Sequence, residues 1–402
     1  MSSQLYFSVG KEALMPCEEI LEVENSQRRL QIGIPAESDP CEDRIALTPE
    51  AVNVLVRHGH MVTVEKQAGE GANYTDLQYS EAGAYIVERN EVYRADILFK
   101  INPPAIDEIE LMKDRQLLFS YLPAFQISET YIRKLAGKHI TAFSFDNIRD
   151  RYGCYPLVRT MSEIAGIVSV QIVSEYLRKP SVGKGILFGG ISGVSPAEVV
   201  IIGAGTAAEF AARSALGLGA FVRVFDNSVH HLQRLQEKLG VRLYTSVMHP
   251  HALAKALESA DALIGAAYID GYQRQHLISE EMTAHLKPGT VIVDLSVTQG
   301  GCCETSELCT LAAPAVVKRG VTHYGVPNIT SLVPRTASMA ISNTLVHMIL
   351  SMGEQGSLAI WLKSDADLRN GVYMYHGILT NPSIGNHFGI QYQDIHLLMA
   401  AF

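Results

Sequence analysis

Short apolar, β-branched runs alternate with longer amphipathic stretches along most of the chain. Runs at 30–34, 60–65, 96–101, 117–121 and 139–143 predict strands. Between the first two, 48–59 (TPEAVNVLVRHG) predicts a helix with Thr48 as N-cap and Pro49 at its first position. A long helical segment at 160–180 ends at Pro180. A second series follows, with strands at 199–202, 221–225, 262–264, 291–294 and 321–324, and a helical pattern returns from about 335. The rhythm predicts an α/β fold of two doubly wound, Rossmann-like domains. A cleft between them, at the carboxyl ends of the strands, is the expected ligand site. The late helical tail is expected to cross back, making the first domain discontinuous: 1–155 plus 335–402 for substrate, 156–334 for nucleotide.

Composition narrows the picture. With 402 residues, 47% hydrophobic and 19% charged, the chain is long and apolar enough for two packed domains. A net charge of −9 argues against nucleic acid as a partner. No apolar run is expected to span a bilayer, and the first 30 residues lack the basic start and apolar core of a signal peptide. A cytoplasmic location is the resulting expectation. The six cysteines form no disulfide framework. Cys302, Cys303 and Cys309 lie close together but lack the CxxC and His spacing of a zinc site, so no metal is expected.

The strongest local signal is 199–227, VVIIGAGTAAEFAARSALGLGAFVRVFDN. A strand leads into Gly203, Gly205 and Ala208, a helix follows, and a second strand ends at Asp226. Gly203 permits the tight turn, Gly205 clears the approach of a pyrophosphate, and Ala208 lets the helix pack close to the sheet. Free N–H groups at the helix N-terminus suit phosphate oxygens. Asp226 lies where a carboxylate can accept both hydroxyls of an adenosine ribose, and its charge disfavours a 2′-phosphate. The cofactor predicted is NAD(H).

Further motifs extend the pattern: GIPAESDPCEDRIALTP (33–49), GHMVTVEKQAGEGANYTD (59–76), MSEIAG (161–166), GGISGVSPAEVVIIGAGTA (189–207), VIVDLSVTQGGCCE (291–304) and HYGVPNITSLVPRTAS (323–338). Together they resemble alanine dehydrogenase and the related NAD-binding domain of nicotinamide nucleotide transhydrogenase. The segment GVYMYHGILTN (371–381) resembles the alanine dehydrogenase branch more closely. The resemblance implies an NAD-dependent oxidoreductase that deaminates L-alanine to pyruvate and ammonia, working as a homo-oligomer, often a hexamer.

It also implies roles for particular residues. Arg44 falls on the carboxylate-binding arginine, where a guanidinium offers two parallel donors. Lys100 matches a strand-end lysine. The family's substrate-contacting lysine falls on Asn102, so Lys100, two residues earlier on the same strand face, is the catalytic candidate and Asn102 a substrate contact. Ser162, Thr206, Ala207, His231, Ala267, Tyr268, Leu295, Ser296, Val297, Thr298, Val326, Asn328 and Ile329 are the implied cofactor contacts, with Asn328 at the carboxamide.

Two departures stand out. The catalytic histidine is Pro123 here, and the catalytic aspartate is Thr298. Neither replacement can serve as a base at neutral pH, and general acid–base groups typically contribute 10²–10⁴-fold each. Nearby Tyr121 and Gln126 are not evident bases. His323 is expected to be structural. The readings that follow are an impaired amino acid dehydrogenase, a non-catalytic NAD(H)-binding protein, or a soluble transhydrogenase-like subunit.

Overall fold

Strands form where apolar residues occupy both faces, the pattern of a sheet covered by helices on either side. The computed structural model describes residues 29–123, 127–150, 152–179, 183–268 and 276–400; Cys17 and Gln126 lie outside them. The first series gives β1 (Gln31–Ile34), β2 (Met61–Glu65), β3 (Tyr85–Val87), β4 (Ile97–Phe99), β5 (Leu117–Ser120) and β6 (Thr141–Ser144). The second gives β7 (Glu198–Ile202), β8 (Phe221–Phe225), β9 (Tyr244–Ser246), β10 (Ala262–Gly265), β11 (Val291–Asp294), β12 (Ala315–Lys318) and β13 (Val321–Tyr324). A hairpin, β14 (Val372–Tyr375) and β15 (Ile378–Leu379), closes the list.

Two sheets result, ordered β15-β14-β6-β5-β4-β1-β2-β3 and β12-β13-β11-β10-β7-β8-β9. Both are parallel except at one edge, where β14 runs antiparallel to β6 and β12 antiparallel to β13. Each is α/β and doubly wound. In the first the chain reverses direction of travel between β1 and β4, and in the second between β7 and β10. These are the switch points at which such sheets open a crevice. Each sheet has a core on both faces. Ile32, Val62 and Phe119 lie on one side of the first and Leu98, Leu118 and Ala142 on the other. Val199, Ile201 and Val224 oppose Val200, Ile202 and Leu263 in the second.

Two 21-residue helices, Pro156–Tyr176 and Pro334–Glu354, run between the sheets. The first starts four residues before the predicted 160, because Pro156 occupies its first turn. Its length and mean hydropathy of 1.3 meet the criterion for a helix that could cross a bilayer, which corrects the expectation that no run is long enough. Here it packs instead against the helix Thr206–Gly217. The contact is so close that a Cβ at Gly166 would lie 2.3 Å from the Ala207 carbonyl oxygen. The second long helix meets the loop after β1. Ser338 Oγ accepts the Ile45 N–H at 2.9 Å, and Ser342 Oγ accepts the Thr48 N–H at 3.0 Å. Thr48 is the N-cap of Pro49–Arg57 as the sequence predicts, although its hydroxyl faces Ser342 rather than the helix.

Candidate functional site

The nucleotide turn is built from backbone constraints. Gly203 has φ +102°, and a Cβ there would meet the Ala266 carbonyl oxygen at 2.7 Å across the β7/β10 switch point. Only glycine fits this left-handed, crowded position. Gly205 is the N-cap of Thr206–Gly217, and nothing lies within 4 Å of where its Cβ would be. The amides of Thr206 and Ala207 open that helix beside this open space. Ala208 is fully buried on its sheet side. Asp226, just past β8, accepts the Ala204 N–H at 2.8 Å and the Ser228 N–H at 2.7 Å, with His231 Nδ1 3.5 Å away. One carboxylate oxygen thus clamps the glycine turn and the other starts the next helix. A carboxylate has about four acceptor positions, so two remain for sugar hydroxyls.

The facing loops are ordered by Asp294. Its buried carboxylate accepts the N–H groups of Ser296 (3.0 Å) and Cys303 (3.1 Å) and the hydroxyl of Ser306 (2.6 Å). Ser296 in turn donates to the Ala267 carbonyl, tying the ends of β10 and β11 together. Leu295, Ser296, Val297 and Thr298 therefore sit on one braced loop beside Ala267, and Tyr268 stands 84% exposed at its rim. Val326 and Ile329 are core residues, 4% and 6% exposed, so they support the loop from behind. Ser162 is half-buried on the long helix Pro156–Tyr176. Cys302 and Cys303 are buried, and burial pushes the Cys302 thiol up to about 12 and the Cys303 thiol well above its ordinary value. No cluster of three metal-ligating side chains occurs among the described residues.

Arg44 lies between the domains. Its Nε and Nη2 donate to the two oxygens of Glu42 at 2.7 and 2.6 Å, and Nη1 donates to Thr330 Oγ1 at 2.9 Å. Asn328 donates its amide N–H to the same Glu42 and accepts from Thr330 Oγ1 at 3.2 Å. The first-domain arginine and the second-domain asparagine, two separately expected ligand contacts, are thus joined through one buried carboxylate.

Lys100 is 1% exposed. Its ammonium bonds Glu37 at 2.9 Å and stands 3.6 Å from Glu108. Glu37 also accepts the N–H groups of Ile101 (2.6 Å) and Asn102 (3.2 Å), pinning the loop after β1 to the end of β4 at the switch point. Burial pushes the Glu37 carboxyl up to about 6, against the pull of Lys100. The geometry gives Lys100 an interior, positioning environment, whereas Asn102 reaches outward to Asp39 at 3.4 Å. Pro123 is buried and lines a small hollow with Pro103, Pro104, Ile106, Ile127 and Tyr131. His323 is buried, its Nδ1 on the Val321 carbonyl and its Nε2 on Thr305. Both ring nitrogens are thus occupied inside the fold.

Sequence reasoning missed Glu37, Glu42 and Asp146. The first two precede Arg44 in ESDPCEDR, an acid-rich run whose partners only the fold reveals.

The pair of sheets, with a glycine turn and helix N-terminus at one switch point and a buried cation at the other, defines a two-domain dinucleotide-binding protein. Comparison carries this further. Residues 33–165 match the alanine dehydrogenase/PNT N-terminal domain, and residues 169–382 match the C-terminal domain. An alanine dehydrogenase of Staphylococcus saprophyticus is 37% identical over 366 residues, covering 90% of this chain and 98% of the relative. Alanine dehydrogenase 2 of Staphylococcus aureus (strain USA300) is 35% identical over 368 residues, covering 91% and 98%. A solved L-alanine dehydrogenase superposes with TM-score 0.84 at 34% identity, covering 89% of this chain and 99% of that one. A transhydrogenase from Sinorhizobium meliloti shares the fold, with TM-score 0.75 at 24% identity, covering 88% and 99%. The chain belongs to the alanine dehydrogenase/PNT family. The family is NAD-dependent, and the open face at Gly205 and the spare acceptor positions on Asp226 fit that cofactor.

Proposed function

We propose that this protein is an oxidoreductase that interconverts a small L-amino acid and its 2-oxo acid in the cytoplasm, as a homo-oligomer, with NAD(H) preferred over NADP(H). The domain boundaries we assign are 335–402 with the first domain and 156–334 for the nucleotide domain. When bound, the cofactor supplies or accepts a hydride at the substrate α-carbon. The chain's own residues do the rest. Gly203, Gly205 and the helix start at Thr206 seat the diphosphate, Asp226 holds the ribose, and the loop Leu295 to Thr298 forms the wall nearest the reacting carbon. Arg44 anchors the substrate carboxylate, exchanging its Glu42 partner for the incoming anion. Lys100 acts through Glu37, which sets the loop that carries Arg44.

The observation that carries this reading is the intact nucleotide turn opposite an arginine bound across the interdomain gap. Turnover of alanine itself is slow, because neither Pro123 nor Thr298 acts as a base at neutral pH. The test is NADH oxidation at 340 nm with ammonium and a panel of 2-oxo acids. A second reading, a non-catalytic NAD(H)-binding or transhydrogenase-like subunit, is favoured by the complete pairing of Arg44 with Glu42. Calorimetric NADH binding without turnover on any acid selects it.

A further inference from the structure

The two substituted positions leave a question of chemistry: what moves protons at the carboxyl edge of the first sheet? Of the acids near it, Glu37 and Glu108 face Lys100 and Glu42 pairs with Arg44. Asp146 follows the end of β6 and has no cation partner among its hydrogen bonds to the described residues. Ser144 donates its hydroxyl to this carboxylate. The same Ser144 oxygen accepts the Leu122 N–H at 3.1 Å. Asp146 is therefore held, through one hydroxyl, against the backbone that carries Pro123. The phenol of Tyr121, one residue before Leu122, lies within electrostatic reach of Asp146, Arg44 and Tyr268. Tyr121 follows the end of β5, and the charged and titratable groups around its phenol are Asp146 after β6, Arg44 from the loop after β1 and Tyr268 from the second domain.

We propose that Asp146, steered by Ser144 and set beside Tyr121, is the proton-transfer group that works in place of the missing histidine and aspartate. The proposal rests on the dehydrogenase reading above. Once hydride has left the α-carbon, the substrate is a protonated imine. The Asp146 carboxylate takes a proton from water as the water oxygen bonds to that carbon and the carbon–nitrogen π pair moves to nitrogen. The carboxyl then returns this proton to the amino nitrogen. The carbon–nitrogen bond breaks, the carbonyl forms, and the remaining hydroxyl proton leaves with nitrogen as ammonium. Burial raises the Asp146 carboxyl above its ordinary value, against the hydrogen bond from Ser144.

The experiment compares the full-length wild type with Asp146→Asn, which keeps an acceptor for Ser144. Three quantities are measured: kcat against pH for the best 2-oxo acid, NADH affinity by calorimetry, and proton uptake when oxalate, an unreactive analogue, joins the NADH complex. The expected result is a kcat loss of about 100-fold or more, with the acid limb of the wild-type profile gone. NADH affinity stays unchanged, and oxalate-linked proton uptake disappears. A variant that keeps kcat within about twofold, the same acid limb and the same proton uptake overturns the role of Asp146 alone. A wild type that binds NADH yet turns over no acid in the panel removes the dehydrogenase reading, and this proposal with it.

Discussion

Gly166→Ala is the most discriminating perturbation of the nucleotide half. Glycine inside an α-helix costs about 1 kcal/mol relative to alanine, so on propensity alone the substitution stabilises. The contact says otherwise. The new Cβ would lie 2.3 Å from the Ala207 carbonyl oxygen and 2.9 Å from the Ala211 nitrogen, against an ordinary contact of 3.4 Å or more. Both neighbours are backbone, so no rotamer relieves the overlap. The helices must separate by about 1 Å, and overpacking of a tight core typically costs 1–3 kcal/mol. An overlap this deep against backbone places the cost at about 2–3 kcal/mol, and after the propensity gain the net loss is about 1–2 kcal/mol. Ala207 sits in the turn that opens the nucleotide helix, so the same shift is expected to weaken NADH binding about tenfold, as a displaced phosphate hydrogen bond would. Urea unfolding and calorimetric titration with NADH measure the two effects. A variant as stable as wild type, or more so, refutes the claim that this glycine exists for the close crossing.

Asp226→Ala removes a carboxylate that holds two loop N–H groups and two ribose acceptor positions; NADH binding is expected to weaken by about 1.5–3 kcal/mol by calorimetry. Pro123→His combined with Thr298→Asp is expected to raise alanine turnover about 100-fold or more in the 340 nm assay; no gain in a folded variant means the pocket serves another ligand. Burial holds the His323 imidazole below its ordinary value, so its neutral form stabilises the fold above that value. That contribution is lost as pH falls, because the unfolded chain takes up the proton first. The urea midpoint is expected to drop more between pH 7.5 and 5.5 in wild type than in His323→Gln.

The strands buried on both faces were legible because such burial writes a continuous apolar run: β11 occupies the residues the pattern predicts, and β7 and β10 each run one residue longer. Edge strands were not. β3, β9 and β12 are short and partly exposed, so their residues carry little hydrophobic signal. The β14–β15 hairpin was not read either, since only helix was expected after 335; its two-residue turn, His376 and Gly377, takes positive φ at both positions. At the site, glycines and Asp226 were readable from local spacing alone. The partners of Arg44 and Lys100 were not. Glu42 and Asn328 are 286 residues apart, and Lys100 meets Glu37 across 63 residues, so only the folded sheet edge brings them together.

The enclosed thiols have a practical consequence. Cys302 and Cys303 are wholly sealed in the second domain, while Cys154 stands open to solvent ahead of the first long helix. Alkylating reagents will modify Cys154 in the native protein and reach the other two only when the Asp294-braced loop comes apart. Pulse labelling read by mass spectrometry therefore turns these neighbouring sulfurs into a built-in clock for the opening of the nucleotide half, with no probe to introduce.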